Sequence, residues 1–115
     1  MQDAATHPNS IVGRPFAQSD RAIAKAWGVT HRANGVKLFV ATDHEAFPEV
    51  IEIAPAGTAE PRWCIWRDRA GRFIVDNWQT WERGRPFAVI NDALAFVATE
   101  ISALQRVASM ASRIV

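Results

Sequence analysis

Residues 62–78 read Arg-Trp-Cys-Ile-Trp-Arg-Asp-Arg-Ala-Gly-Arg-Phe-Ile-Val-Asp-Asn-Trp, two arms rich in aromatic and β-branched residues around a short polar centre. Such arms suit a pleated, half-buried surface, and the centre suits a tight turn. Gly71 supplies the left-handed position that a bulged hairpin loop requires. If Asp68 and Arg72 close the loop, the antiparallel register follows by counting backwards. Arg67 lies opposite Phe73, Trp66 opposite Ile74, Ile65 opposite Val75, Cys64 opposite Asp76, Trp63 opposite Asn77 and Arg62 opposite Trp78.

Alternation along each arm sorts the side chains into two faces. Trp63, Ile65, Phe73 and Val75 form a plain core face, with Arg67 and Asn77 at its margins. Cys64, Trp66, Ile74 and Trp78 form a mixed face, with Arg62 and Asp76 among them. An exposed Trp/Arg surface suits base stacking with phosphate contact, or a protein hot spot. The alternative is that a helix covers this face and Arg62 pairs with Asp76 at its edge. A one-residue slip would exchange parts of the two faces.

At 115 residues, 49% apolar and 22% charged, the chain fits one folded domain. The net charge of +1 argues against a strongly electrostatic nucleic-acid binder. The charge is unevenly placed: residues 62–85 carry +3, residues 1–61 carry −2, and residues 86–115 balance. Eleven of the thirteen basic residues are arginine, which favours planar stacking and bidentate contacts.

Cys64 is the only cysteine, so no intrachain disulfide can form. The N-terminus lacks the basic-then-apolar pattern of a signal peptide, and no apolar run reaches the length of a membrane span. These features predict a cytoplasmic location and no membrane association.

The polar stretch 1–15 is expected to be a flexible N-terminal arm, with His7 structurally idle and residues 16–115 forming a single domain. Ser19 is a candidate N-cap for a short helix running to about Trp27 and stopping at Gly28. Its buried side would comprise Ala22, Ile23, Ala26 and Trp27. The segment that follows breaks at Asn34-Gly35 and turns β-like, so it does not supply the recognition helix of a helix-turn-helix. Val36–Thr42 and Glu49–Ala54 read as strands. In the second, Ile51 and Ile53 face one way and Val50, Glu52 and Ala54 the other, a one-sided pattern. Residues 79–86 read as a polar connection, with Trp81 either plugging the sheet edge or meeting a partner.

The last element is the clearest. Apolar residues recur at Ile90, Leu94, Val97, Ile101, Leu104, Ala108, Ala111 and Val115, spacings of four and three. Phe96, Val107, Met110 and Ile114 widen the stripe. Asn91 or Asp92 is the expected cap. A helix of about 24 residues spans about 36 Å, longer than a four-stranded sheet is wide. Its second half is expected to overhang with apolar residues exposed, predicting a homodimer contact at Leu104, Ala108, Ala111 and Val115. The alternative is cover by the N-terminal helix or arm.

The fold expected is therefore α+β: a short N-terminal helix, a four-stranded antiparallel meander and a long C-terminal helix packed on one face of the sheet. No Gly-rich phosphate loop or nucleophile elbow is present. Cys64 lies mid-strand without an activator, and Asp43, His44 and Glu45 are adjacent residues that do not converge on one ion. No catalytic residue, metal site or cofactor is predicted. The function expected is a non-enzymatic protein-interaction module, a regulator or inhibitor, using the hairpin face or the exposed helix. The alternative is a single-stranded nucleic-acid binder, with a small enzyme a more distant one. The partner-binding residues are Arg62, Trp66, Arg69, Arg72, Trp78, Trp81, Arg83 and Arg85.

Overall fold

The computed structural model of the chain describes residues 13–42, 49–80 and 82–114, the backbone alone at 82, 83 and 112–114. Their order is β1 (Gly13–Arg14), α1 (Gln18–Arg32), β2 (Lys37–Thr42), β3 (Glu49–Ala54), β4 (Trp63–Asp68), β5 (Phe73–Asn77), β6 (Glu82–Phe87) and α2 (Ile90–Ile114). Strands β2 to β6 form an antiparallel meander in sequence order. Gly13 and Arg14, assigned from sequence to the arm, pair instead with Asp68 and Arg67 of β4, beyond the stretch where β3 pairs with that strand.

The hairpin has the register counted from the sequence. Trp63 pairs with Asn77, Cys64 with Asp76, Ile65 with Val75, Trp66 with Ile74 and Arg67 with Phe73. The Trp78 amide donates to the Arg62 carbonyl at 2.8 Å, extending the match by one pair. Gly71 takes φ +89° and donates its N–H to the Asp68 carbonyl at 3.0 Å. Asp68 then locks the loop, accepting from the Arg72 amide and from Arg72 Nε, each at 2.8 Å. Burial opposes ionisation of this carboxyl, but the bonds from Arg72 outweigh it and hold its pKa below the ordinary value.

The sheet is wider than the four strands expected. Residues 82–87 form β6, an edge strand pairing with β5 across an irregularity between Val75 and Asn77. Gly84 and Pro86 read as loop residues, yet each has a reason to be here. A Cβ at Gly84 would collide with Ile74 Cγ2 and Asp76 Oδ1, so only glycine allows β5 this close. Proline is tolerated because an edge strand leaves half its amides without a ladder partner.

Helix α1 is likewise longer than expected. It passes through Gly28 and ends at Arg32. The glycine serves a close approach rather than a stop, since a Cβ there would meet Leu38 Cβ at 3.1 Å. The N-cap is Ala17, two residues before Ser19, and the Asp20 carboxylate accepts from the Ala17 amide at 2.9 Å. Chain reversal occurs at Asn34-Gly35, with Gly35 at φ +82°. At the start of α2, the Val89 carbonyl accepts from the Asp92 and Ala93 amides, so Asp92 sits in the first turn rather than at the cap.

Both helices pack on the same side of the sheet. Trp63, Ile65, Phe73 and Val75 meet Ile51 and Ile53 of β3, Ala24 of α1, and Ile90, Ala93, Leu94, Val97 and Ile101 of α2 in one buried cluster. The Trp63 indole N–H is satisfied by Glu100 Oε1 of α2 at 2.9 Å, which anchors the helix across the hairpin. Strand β3 is not one-sided: Val50 and Ala54, on the opposite face from Ile51 and Ile53, are also fully buried.

Glu49 ties the N-terminal segment to the sheet. Its carboxylate accepts from the Phe16 amide at 2.9 Å and from Arg21 Nε and Nη2 at 2.7 and 2.9 Å. The Arg21 bonds hold its pKa below the ordinary value despite partial burial. One carboxylate thus fixes β3, the entry to α1 and the first turns of α1 together.

Candidate functional site

With the register fixed, the face of the hairpin turned away from the helices carries Cys64, Trp66, Ile74 and Asp76, bordered by Glu52 of β3. No described helix lies on it. Trp66 is half-buried, and its indole N–H donates to Asp76 Oδ2 at 2.8 Å. Glu52, Cys64 and Asp76 stand side by side across three strands. Cys64 is 2% exposed, and burial, reinforced by these two carboxylates, pushes its thiol pKa well above the ordinary value. The Arg62–Asp76 pair expected from sequence does not form, because the Asp76 carboxylate is engaged by Trp66 and Arg62 turns towards Trp63.

The arginines expected to join the tryptophans are dispersed. Arg69 and Arg72 lie at the hairpin tip, roughly 20 Å along the strand from Arg62. Arg72 is engaged with Asp68 at 2.8 Å. Arg85 sits over the Phe96 ring of α2 at 4.8 Å, on the helix-covered face. Arg67 similarly lies over Phe73 at 5.3 Å. Trp81 falls outside the described residues, and of Arg83 only the backbone position in β6 is described. The structure therefore brings Arg62 and Trp78 together, leaves Trp66 in the middle of the face bonded to Asp76, and sets Arg69, Arg72 and Arg85 apart from them.

Arg62 and Trp78 mark one end of the hairpin, where two clefts meet. The first, about 610 Å³, is lined by Arg62, Trp78, Glu60, Pro61 and Gln79. The second, about 200 Å³, lies between Arg62, Trp63, Thr80 and the α2 residues Glu100, Leu104 and Val107. The Arg62 guanidinium lies 5.6 Å from the Trp63 ring, and its Nε is buried with no hydrogen-bond partner among the described residues. A buried unsatisfied N–H costs about 1–3 kcal/mol, which a carbonyl or carboxylate brought by a partner would relieve.

Beyond Leu104, α2 leaves the core. The stripe buried through Ile101 continues, but Val107 and Met110 are 64% and 62% exposed. Leu104 is half-buried, Ala108 and Ala111 are exposed, and Val115 lies outside the described residues. Val107 and Met110 count for more here than the alanines singled out by spacing, because they are the large side chains left uncovered.

Among the described residues no group of His, Cys, Asp and Glu could hold a metal ion. Asp43, His44 and Glu45 lie outside the described residues, as does His7. Among them, too, no helix is long and apolar enough to cross a membrane. Comparison with protein-family models, with curated proteins and with solved structures returned no match. The fold and site define an α+β domain with a one-sided helical layer, an unsatisfied arginine at the end of its central hairpin, and an apolar helical overhang beside it.

Proposed function

We propose that the chain is a small protein-interaction module, a regulator or inhibitor, that binds through the corner where Arg62 and Trp78 meet the overhanging end of α2. The observation that carries this reading is the apolar stripe of α2, which runs without interruption from buried Ile101 to exposed Val107 and Met110. Exposed apolar helix faces are laid into grooves of partner proteins or paired with one another. Arg62 supplies the polar anchor, its buried Nε having no hydrogen-bond partner among the described residues. The low net charge, the scattered arginines and the Glu52–Asp76 pair flanking Cys64 favour a protein partner over a nucleic-acid strand.

Self-association through α2 is the simplest form of this reading. Sedimentation of the full chain over a wide concentration range, with Val107→Glu/Met110→Glu alongside, tests it. A monomer–dimer equilibrium abolished by the double substitution, with thermal stability at low concentration unchanged, supports the stripe as the contact. A monomer at every concentration removes self-association and leaves binding to a different protein. Quenching of tryptophan fluorescence by a mixed-sequence single-stranded oligonucleotide, weakening steeply with salt, would overturn the protein-partner reading.

A further inference from the structure

A second surface, sharing no residue with the Arg62 clefts, lies on the far edge of the sheet. Strand β2 is the outermost strand of the meander, and no described strand pairs with its outer side. Along it runs a cleft of about 560 Å³. One wall contains both Leu38 and Phe39, consecutive residues that point to opposite faces of the sheet. Leu38 packs towards the core, whereas Phe39 is 46% exposed on the other side. A cleft bounded by both must follow the edge of the strand, not either face.

The opposite wall is α1. Lys25, Val29 and Arg32 project from it at spacings of four and three, one helix face. Gly28, between them, is the close-approach glycine that lets the helix lie against Leu38. Val29 is 61% exposed. Lys25, Arg32 and Lys37 ring the cleft, and among the described residues none of them is paired with a carboxylate; Lys37 Nζ donates only to the Thr58 carbonyl at 3.3 Å. An apolar floor, a row of strand-edge backbone groups and three cations in no ion pair among the described residues therefore converge on one groove.

From this geometry we infer that the groove between α1 and the outer edge of β2 binds an extended acidic peptide segment of a partner protein by strand addition. Backbone groups of the segment pair with β2. Alternate carboxylates on the helix side of the added strand reach Lys25 and Arg32, and the intervening apolar side chains lie against Phe39 on the other side. A second copy of this chain would pair β2 with β2 and bring two such cation sets together, so charge complementarity favours an acidic partner. The strand itself has no proline and a single lysine, so little guards its edge against such addition.

The probe is a capped hexapeptide of alternating glutamate and valine, titrated into isotope-labelled full-length chain and followed by amide chemical shifts. The expected result is a saturable shift centred on Lys37–Thr42, slower amide exchange along that strand, and binding that weakens as salt is raised. The variant Lys25→Glu/Arg32→Glu should bind on the order of tenfold more weakly or less, with an unchanged spectrum away from the groove. Both side chains are exposed, so the fold survives the exchange. Equal binding of the lysine-for-glutamate peptide, or of the charge-reversed variant, overturns the inference. So does decanoate shifting Val29 and Phe39 while the peptide leaves β2 unmoved, since the groove would then be an anionic-amphiphile site. Neither result touches the Arg62 corner, which the Val107→Glu/Met110→Glu comparison tests alone.

Discussion

Leu94→Ala and Val107→Ala, thirteen residues apart on the same helix, should behave as if they belonged to different proteins. Leu94 is 2% exposed within the cluster that joins α2 to the sheet. Removing three carbons at about 0.8 kcal/mol each, with a cavity that closes only in part, predicts a loss of about 3 kcal/mol. For a domain of this size that lowers Tm by about 10 °C or somewhat more. Val107 is 64% exposed, so only a minor share of its transfer energy is at stake. Alanine's better helix propensity, about 0.5 kcal/mol, offsets that share. Its net effect should fall within about 0.5 kcal/mol of zero, a Tm shift of about 2 °C at most. Urea unfolding followed by tryptophan fluorescence measures both, with Trp63 buried at the reporting position. An equal loss in Val107→Ala at low protein concentration would refute the reasoning, since the end of α2 would then be packed against its own chain. A loss that grows with concentration would instead identify the stripe as a self-association contact.

Two further outcomes follow from buried groups. Cys64 should resist an aromatic disulfide reagent in mildly alkaline buffer and react promptly once the chain is unfolded in guanidinium; rapid labelling of the folded chain would contradict its burial and raised thiol pKa. Glu49 titrates below its ordinary value, chiefly through the Arg21 hydrogen bonds and also through the Phe16 amide. A depressed folded pKa contributes stability that is present above the unfolded value of about 4.3 and disappears as pH falls through the folded value. The stability gap between the parent chain and Glu49→Gln should therefore be widest near neutrality and close in acid, read by denaturant midpoints across that pH range. A gap independent of pH would remove the ion pair as its cause.

The central hairpin was legible because its information is local. Alternation, the loop residues Asp68 to Arg72 and the left-handed Gly71 fix one register, and that register alone sends Trp63, Ile65, Phe73 and Val75 to the core. The missed features depend on neighbours distant in sequence. Gly84 and Pro86 look like loop residues until Ile74 and Asp76 are placed across from them. Gly28 looks like a helix stop until Leu38 is placed against it. The same limit governs the candidate site. Clustering six arginines in sequence between 62 and 85 does not cluster them in space, since alternation sends Arg67 and Arg85 to the helix side, over Phe73 and Phe96. The groove at β2 had no sequence signature at all, because Lys25, Arg32 and Lys37 meet only when α1 is folded onto the sheet edge.

The overhang of α2 has a geometric origin that bears on its purpose. Twenty-five residues make a helix about 37 Å long. The five strands of the meander span about 19 Å between their outermost axes, and strands of six residues are about 20 Å long. Even the diagonal of this sheet, about 28 Å, falls short of the length of α2, so at least about six residues must project in any placement. A projecting helix end with no partner has no reason to remain apolar on one side, and in water so short a segment gains little from its own hydrogen bonds. Yet Leu104, Val107, Ala108, Met110 and Ala111 continue the stripe in phase with Leu94, Val97 and Ile101. The phase matters more than the composition. Residues that face the sheet in the first half and solvent in the second lie on one line, and that line passes Arg62 at the cleft where the sheet ends. A partner seated against the projecting stripe would thus extend the existing core and supply an acceptor to the buried Arg62 Nε.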